Sequence, residues 1–128
     1  LNDQRHGHPL DDLSACLAAK DIESIRLTAA NIRIADELKR YIVDIVTATR
    51  SAPGIAMGAS PRAGIMLMKC SQALALIEGQ QFVSPDQIQE LAIPVIAHRL
   101  ILEPGVEYNG TQATKIVTEI IKSLPVPS

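Results

Sequence analysis

The chain has 128 residues, 47% of them apolar and 20% charged, with no Trp and a formal net charge of −2. That length suits one domain burying roughly two thirds of its unfolded surface, and with Phe82, Tyr41 and Tyr108 the only aromatics its core must be aliphatic. Scattered basic residues under an acidic balance, without aromatic faces for stacking, exclude the footprint of a nucleic-acid binder, and no apolar run reaches the ~18 residues of a membrane span.

In chain order, the polar stretch through His6, Gly7, His8 and Pro9 opens on Leu1 rather than Met and reads as the end of a preceding element. A piece cut from a longer protein is therefore expected. Residues 11–19 and 21–31 read as two short helices, the second with Ile22, Ile25 and Ala29 on one side. Ile32-Arg33-Ile34 alternates like a brief strand. From Asp36 to about Ser51, Leu38, Tyr41, Ile42, Ile45, Val46 and Thr49 fall at helical spacing, while Asp36, Arg40 and Asp44 form an i,i+4 ladder on the wet face. Pro53-Gly54 ends that helix, and a loop runs to Ala59.

Residues 61–78 predict a helix that is apolar almost all round, with Arg62, Lys69 and Gln72 as a narrow polar seam; such a helix is central, with neighbours on most sides. Gly79 stops it. Phe82-Val83 offers a short strand to pair with residues 32–34. Ser84-Pro85-Asp86-Gln87 is a full capping box for a fourth helix carrying Ile88, Leu91, Ala92, Val95 and Ile96, with a kink or break expected at Pro94. Residues 99–102 read as another extended piece. The last helix, from Thr111 onward, carries Ala113, Ile116, Val117, Ile120, Ile121 and Leu124 in register and is closed by Pro125 and Pro127. The fold class is mainly α, a helical bundle with a few very short strands.

Gly58-Ala59-Ser60-Pro61-Arg62 carries the strongest local signal. Ser at an N-cap accepts from an orphan amide, and Pro at the first helical position lacks one. Arg62 then falls in the first turn, where the macrodipole disfavours a cation by roughly 0.3–1 kcal/mol. Two readings stand: a solvated arginine, or a guanidinium that acts with the free amides on an anion such as phosphate. Lys69 lies two turns on along the same seam, either lining one edge of that site or forming the wet side of a core helix.

Other constellations read as structural. Asp36-Glu37 after Ile32-Arg33-Ile34 resembles a Mg²⁺-organising Walker B segment, but two acids in a first turn are what the dipole favours. No Gly-Lys pair exists to make a phosphate loop, so the chain is not a complete P-loop ATPase. His6, His8 and His98 have no zinc-like partners, so no metal site is expected. No catalytic residue can be assigned, since no nucleophile and base are paired. Met57, Met66 and Met68 read as aliphatic filling. Arg50 and Arg99 read as complements to helix C-termini. Cys16 and Cys70 make no disulfide framework in a domain of this size; reduced, buried thiols are expected, which favours the cytosol.

The run Tyr41-Ile42-Val43-Asp44-Ile45-Val46, Ala48-Thr49-Arg50, Gly58-Ala59-Ser60-Pro61-Arg62-Ala63, Phe82-Val83-Ser84-Pro85-Asp86 and Ala97-His98-Arg99-Leu100 resembles the C-terminal lid of MoxR-type AAA+ ATPases. The match runs from His8-Pro9-Leu10 to Pro125-Val126-Pro127. One departure is Gln80-Gln81 in place of a Gly-Arg-Asp-like turn, which removes a charge.

By this resemblance residues 1–9 are a leader from a preceding core domain and residues 10–128 the AAA+ lid. The resemblance implies that Arg62 is the sensor 2 arginine, touching the γ-phosphate of ATP, with Ser60 and Pro61 shaping the helix start. It also implies that ATP and Mg²⁺ are cofactors of a parent protein whose core holds the Walker segments, sensor 1 and the arginine finger. No ATPase activity and no cofactor are expected of this fragment alone. The implied partners are that core, a homo-oligomeric ring of six subunits and a von Willebrand factor A protein; the implied role is chaperone-like maturation of clients in the cytoplasm. Nucleic acid and membrane insertion are not expected. The alternative is a freestanding helical protein-interaction module without nucleotide chemistry.

Overall fold

The computed structural model describes residues 13–105 and 112–127. Its first helix, α1 (Ala19–Ala30), starts where the Asp21 carboxylate accepts from the Ala18 N–H at 2.8 Å. Of the helix expected over residues 11–19, residues 13–18 are not helical and Ala19 is the first residue of α1. Leu13 and Leu17 are exposed, and so short a helix does not persist without an apolar face to bury. Ile22 and Ile25 do share one side of α1, yet each is 47% exposed and no residue of this helix is buried.

Helix α2 (Asp36–Ser51) buries the expected stripe, Leu38, Tyr41, Ile42, Ile45, Val46 and Thr49. Ala52, held extended by the following Pro53, ends it, and Gly54 takes φ 80°. On the wet face Asp36 pairs with Lys39 at 2.8 Å, so the expected Asp36–Arg40–Asp44 ladder is replaced at its first rung by an i,i+3 pair. The hydrogen bond and charge of Lys39 hold the Asp36 carboxyl below its ordinary value, with a smaller pull from Arg40. A carboxyl whose folded pKa is depressed stabilises fully above the ordinary carboxylate range and loses that contribution as pH falls through the lowered value. Asp36→Asn is therefore expected to shift the unfolding midpoint at neutral pH and to match the parent well below pH ~4. A difference that persists in acid would show that the carboxylate charge is not its source.

Helix α3 (Pro61–Ile77) packs against α1, α2 and α4 (Pro85–Ile96), which makes it the central element. It is not enclosed all round: Ile65 and Met66 face solvent and Ile77 is 81% exposed. Its end has the hydrogen bonds of a Schellman turn, Gln80 N–H to Ala75 O at 2.7 Å and Gly79 N–H to Leu76 O at 3.0 Å, with Gly79 at φ 72°. Gln72 leaves the expected wet seam and is buried, its amide donating to Ile32 O at 2.8 Å and Ala30 O at 3.3 Å. It thus holds the end of α1 against α3. Gln72→Leu strands both carbonyls and is expected to cost about 1–3 kcal/mol in denaturant unfolding; an unchanged midpoint would show that water replaces the amide.

The pairing of residues 32–34 with 82–83 forms as one parallel bridge, Arg33 with Phe82, with Val83 N–H donating to Arg33 O at 2.8 Å. The capping box of α4 is present, Ser84 and Gln87 exchanging bonds at 2.9 and 3.4 Å. Helix α4 runs past Pro94 without a break and tightens only after Ile96 into a 3₁₀ turn, Ala97–Arg99. Part of the expected loop before Ala59 is a strand, β1 (Ile55–Met57), antiparallel to β2 (Ile101–Leu102). The expected extended piece over 99–102 is thus partly turn and partly strand.

Helix α5 (Ala113–Ser123) buries Ile116, Val117 and Ile120 against α2 and α4; Thr111 lies outside the described residues. Both cysteines are free as expected, but Cys16 is exposed. Met57 and Met66 are likewise on the surface, and only Met68 fills a gap in the core. Among the described residues no helix is long and apolar enough to cross a membrane.

Candidate functional site

Ser60 is the N-cap of α3, with extended backbone at φ −81° and ψ 162°, and Pro61 opens the helix. Against expectation, the Ser60 hydroxyl makes no cap bond; the Ser60 carbonyl instead accepts from Ala63 N–H at 2.9 Å. The helix start is fixed from elsewhere. Thr49, fully buried in the last turns of α2, donates its hydroxyl to Val46 O at 2.6 Å and accepts from Ala59 N–H at 2.9 Å. Arg50 Nε donates to Ala59 O at 3.1 Å. Both backbone groups of Ala59 are therefore satisfied by adjacent residues of α2.

This close approach needs Gly58. A Cβ there would lie 2.7 Å from Arg50 Cα and 2.8 Å from Arg50 N, inside any tolerable contact with backbone. Arg50 does lie in the last turn of α2, as expected, but its Nε bonds Ala59 O in place of a carbonyl of its own helix, whereas Arg99 donates Nε to Val95 O of α4 at 3.0 Å.

Arg62 stands exposed in the first turn of α3, where no acid accompanies it. Among the described residues it enters no ion pair. Lys69 is exposed further along and lines a groove of about 820 Å³ between α1 and α3, together with Arg26, Lys39, Ile34 and Gln72. Arg62 is not part of that lining, so the structure does not bring the two cations into one pocket. A second groove of about 420 Å³, almost wholly apolar, runs between α2 and α3 from Arg50 and Pro61 to Met68.

A cation with no acid in its own helical turn leaves room for an anionic group there. Among the described residues no three His, Cys, Asp or Glu gather in a way that would hold a metal ion. Asp36 and Glu37 sit exposed in the first turn of α2, as helix-start acids do. His98 is exposed, with Nδ1 3.0 Å from Pro94 O; His6 and His8 lie outside the described residues. Sequence reasoning missed Thr49 and the true partner of Arg50, because their bonds span a turn.

The described residues thus form a helical bundle around one central helix, α3. The family model for the AAA lid domain matches residues 47–120, and the chain belongs to that family as the C-terminal lid domain of a MoxR-type AAA+ ATPase. It is 40% identical over 127 residues to the uncharacterized protein YeaC of Bacillus subtilis, covering 99% of this chain and 40% of that one. To chaperone MoxR1 of Mycobacterium tuberculosis it is 27% identical over 120 residues, covering 87% and 32% of the two chains. A crystal structure of an inferred ATPase from Cytophaga hutchinsonii superposes with a TM-score of 0.80 at 29% identity, over 85% of this chain and 36% of that one. The chain thus spans about two fifths or less of the length of the curated relatives it matches.

Proposed function

We propose that this lid closes over ATP bound by a core domain of the same polypeptide and places Arg62 on the γ-phosphate as the sensor 2 arginine. Residues 1–9 are then the end of that core and residues 10–128 the lid. The observation that carries the reading is the position of Arg62: exposed, without an ion pair among the described residues, and in a first turn where its charge is unfavourable until an anion arrives. Planar, bidentate donors on a transferring phosphate are the common means of stabilising its charge.

The chain's own residues perform binding and orientation. Arg62 would hold phosphate oxygens, with Ser60 and Pro61 shaping the backbone that aims it, while Lys69 lines the separate groove between α1 and α3 and takes no part. ATP would supply the phosphoryl group to be transferred. Mg²⁺ would be held by the core, since no carboxylate accompanies Arg62 in its first turn.

In the intact protein, ATP hydrolysis would move lid against core within a ring of six subunits. The name of one relative, chaperone MoxR1, supports a chaperone-like role; as our own extension of that reading, the clients would be partner proteins matured in the cytoplasm, including proteins with von Willebrand factor A domains. Substituting Arg62 by alanine in the full-length protein and measuring ATP turnover at saturating ATP tests the reading. Parent-like turnover would overturn the assignment of Arg62 to the phosphate.

A further inference from the structure

We infer that Thr49 is a positioning residue for Arg62, the buried pin through which α2 sets where the first turn of α3 lies; the inference rests on the assignment of Arg62 to the phosphate. A Thr hydroxyl near a helix end commonly donates back to a carbonyl of the preceding turn, as Thr49 does to Val46 O. What that habit does not require is the second bond, in which the same oxygen accepts from the Ala59 amide ten positions on.

Three further observations converge on this contact. Arg50 takes the Ala59 carbonyl, so the peptide groups on both sides of Ala59 are fixed. Gly58 lies so close to the Arg50 backbone that no side chain fits there. Ser60 contributes no side-chain cap, so no cap bond from that hydroxyl determines where α3 begins. Residues 58 and 59 are bolted to α2, Pro61 fixes φ at the next step but one, and Arg62 follows directly. A displacement of α2 therefore carries the guanidinium with it.

The test uses the full-length protein and steady-state ATP turnover. Thr49→Val keeps the shape and volume of the buried side chain but removes both hydroxyl bonds; it is expected to lower kcat about tenfold or more, because small misplacements of a positioned group have effects of that order. Thr49→Ser retains the hydroxyl and is expected to stay within about twofold of the parent. In an Arg62→Ala background, Thr49→Val is expected to add no further loss, since a group acting through Arg62 has nothing left to position.

Arg50→Met removes one of the Ala59 bonds from an exposed side chain and supplies a milder variant should Thr49→Val fail to fold. Its loss is likewise expected to vanish in the Arg62→Ala background. If Arg62→Ala slows turnover while the folded latch variants do not, or if the losses multiply in the double variants, the positioning role is wrong and the phosphate assignment stands. If Arg62→Ala itself is neutral, the phosphate assignment falls and this inference with it.

Discussion

Arg62→Ala in the full-length protein is expected to slow ATP turnover at saturating ATP by about ten- to a thousandfold, below the largest effects of arginine fingers but within the range of charge-assisted phosphate contacts. The lid should remain folded. Arg62 is exposed and has no ion-pair partner among the described residues, so its truncation breaks no charge pair there. Removing a cation from a first turn relieves an unfavourable dipole interaction of ~0.3–1 kcal/mol. The expected signature is thus a lower rate with an equal or slightly higher melting temperature. Lysine at the same place keeps the charge but loses the planar fork, so Arg62→Lys should fall between parent and alanine. A rate loss accompanied by a large fall in melting temperature would point to a structural role and contradict the assignment.

The second large effect is expected from Gly58→Ala. The new methyl would meet the Cα and N of Arg50 at 2.7 and 2.8 Å, and backbone inside a helix cannot swing aside as the end of a flexible side chain does. Overpacking of this kind costs about 1–3 kcal/mol. The loop must move away from α2 to relieve it, which lengthens both Ala59 bonds and shifts the helix start. Gly58→Ala should therefore lower both stability and turnover, unlike Arg62→Ala. Gly58 is not among the residues with positive φ, so the penalty is one of space and not of backbone conformation. Gly79 is the opposite case, with φ 72° and nothing within 4 Å of the place a methyl would take. Denaturant unfolding that leaves Gly58→Ala level with the parent would show that the latch can relax without cost.

Features fixed by local chemistry were legible in the chain. The apolar stripe of α2 matches its buried set residue for residue, and the Ser84 capping box and the Gly79 stop need only neighbouring residues to form. The position of Arg62 was legible for the same reason: Pro61 marks the helix start, and one step further lies the first turn.

Features made by distant segments were not. β1 is a three-residue strand whose partner lies more than forty positions away and whose Met57 is exposed, so no alternation announces it. Gln72 sits on the seam of α3 that also carries Arg62 and Lys69, and only the arrival of Ala30 and Ile32 turns it inward. The latch is the clearest instance. Thr49 occupies the apolar stripe of α2 and looks like filling, and Arg50 looks like a helix-end complement, until the turn folds Ala59 between them.

The weak burial of α1 sets a hierarchy of opening. A helix with no buried residue, packed on α3 and tied at its end by Gln72, is expected to unfold at a lower free energy than the core, as peripheral segments do. When α1 detaches, the groove that contains Lys69 loses one wall. The bonds that aim Arg62 involve only α2 and residues 58–62, so they survive that event. The charged tip of the lid is in this way insulated from the breathing of its outermost helix.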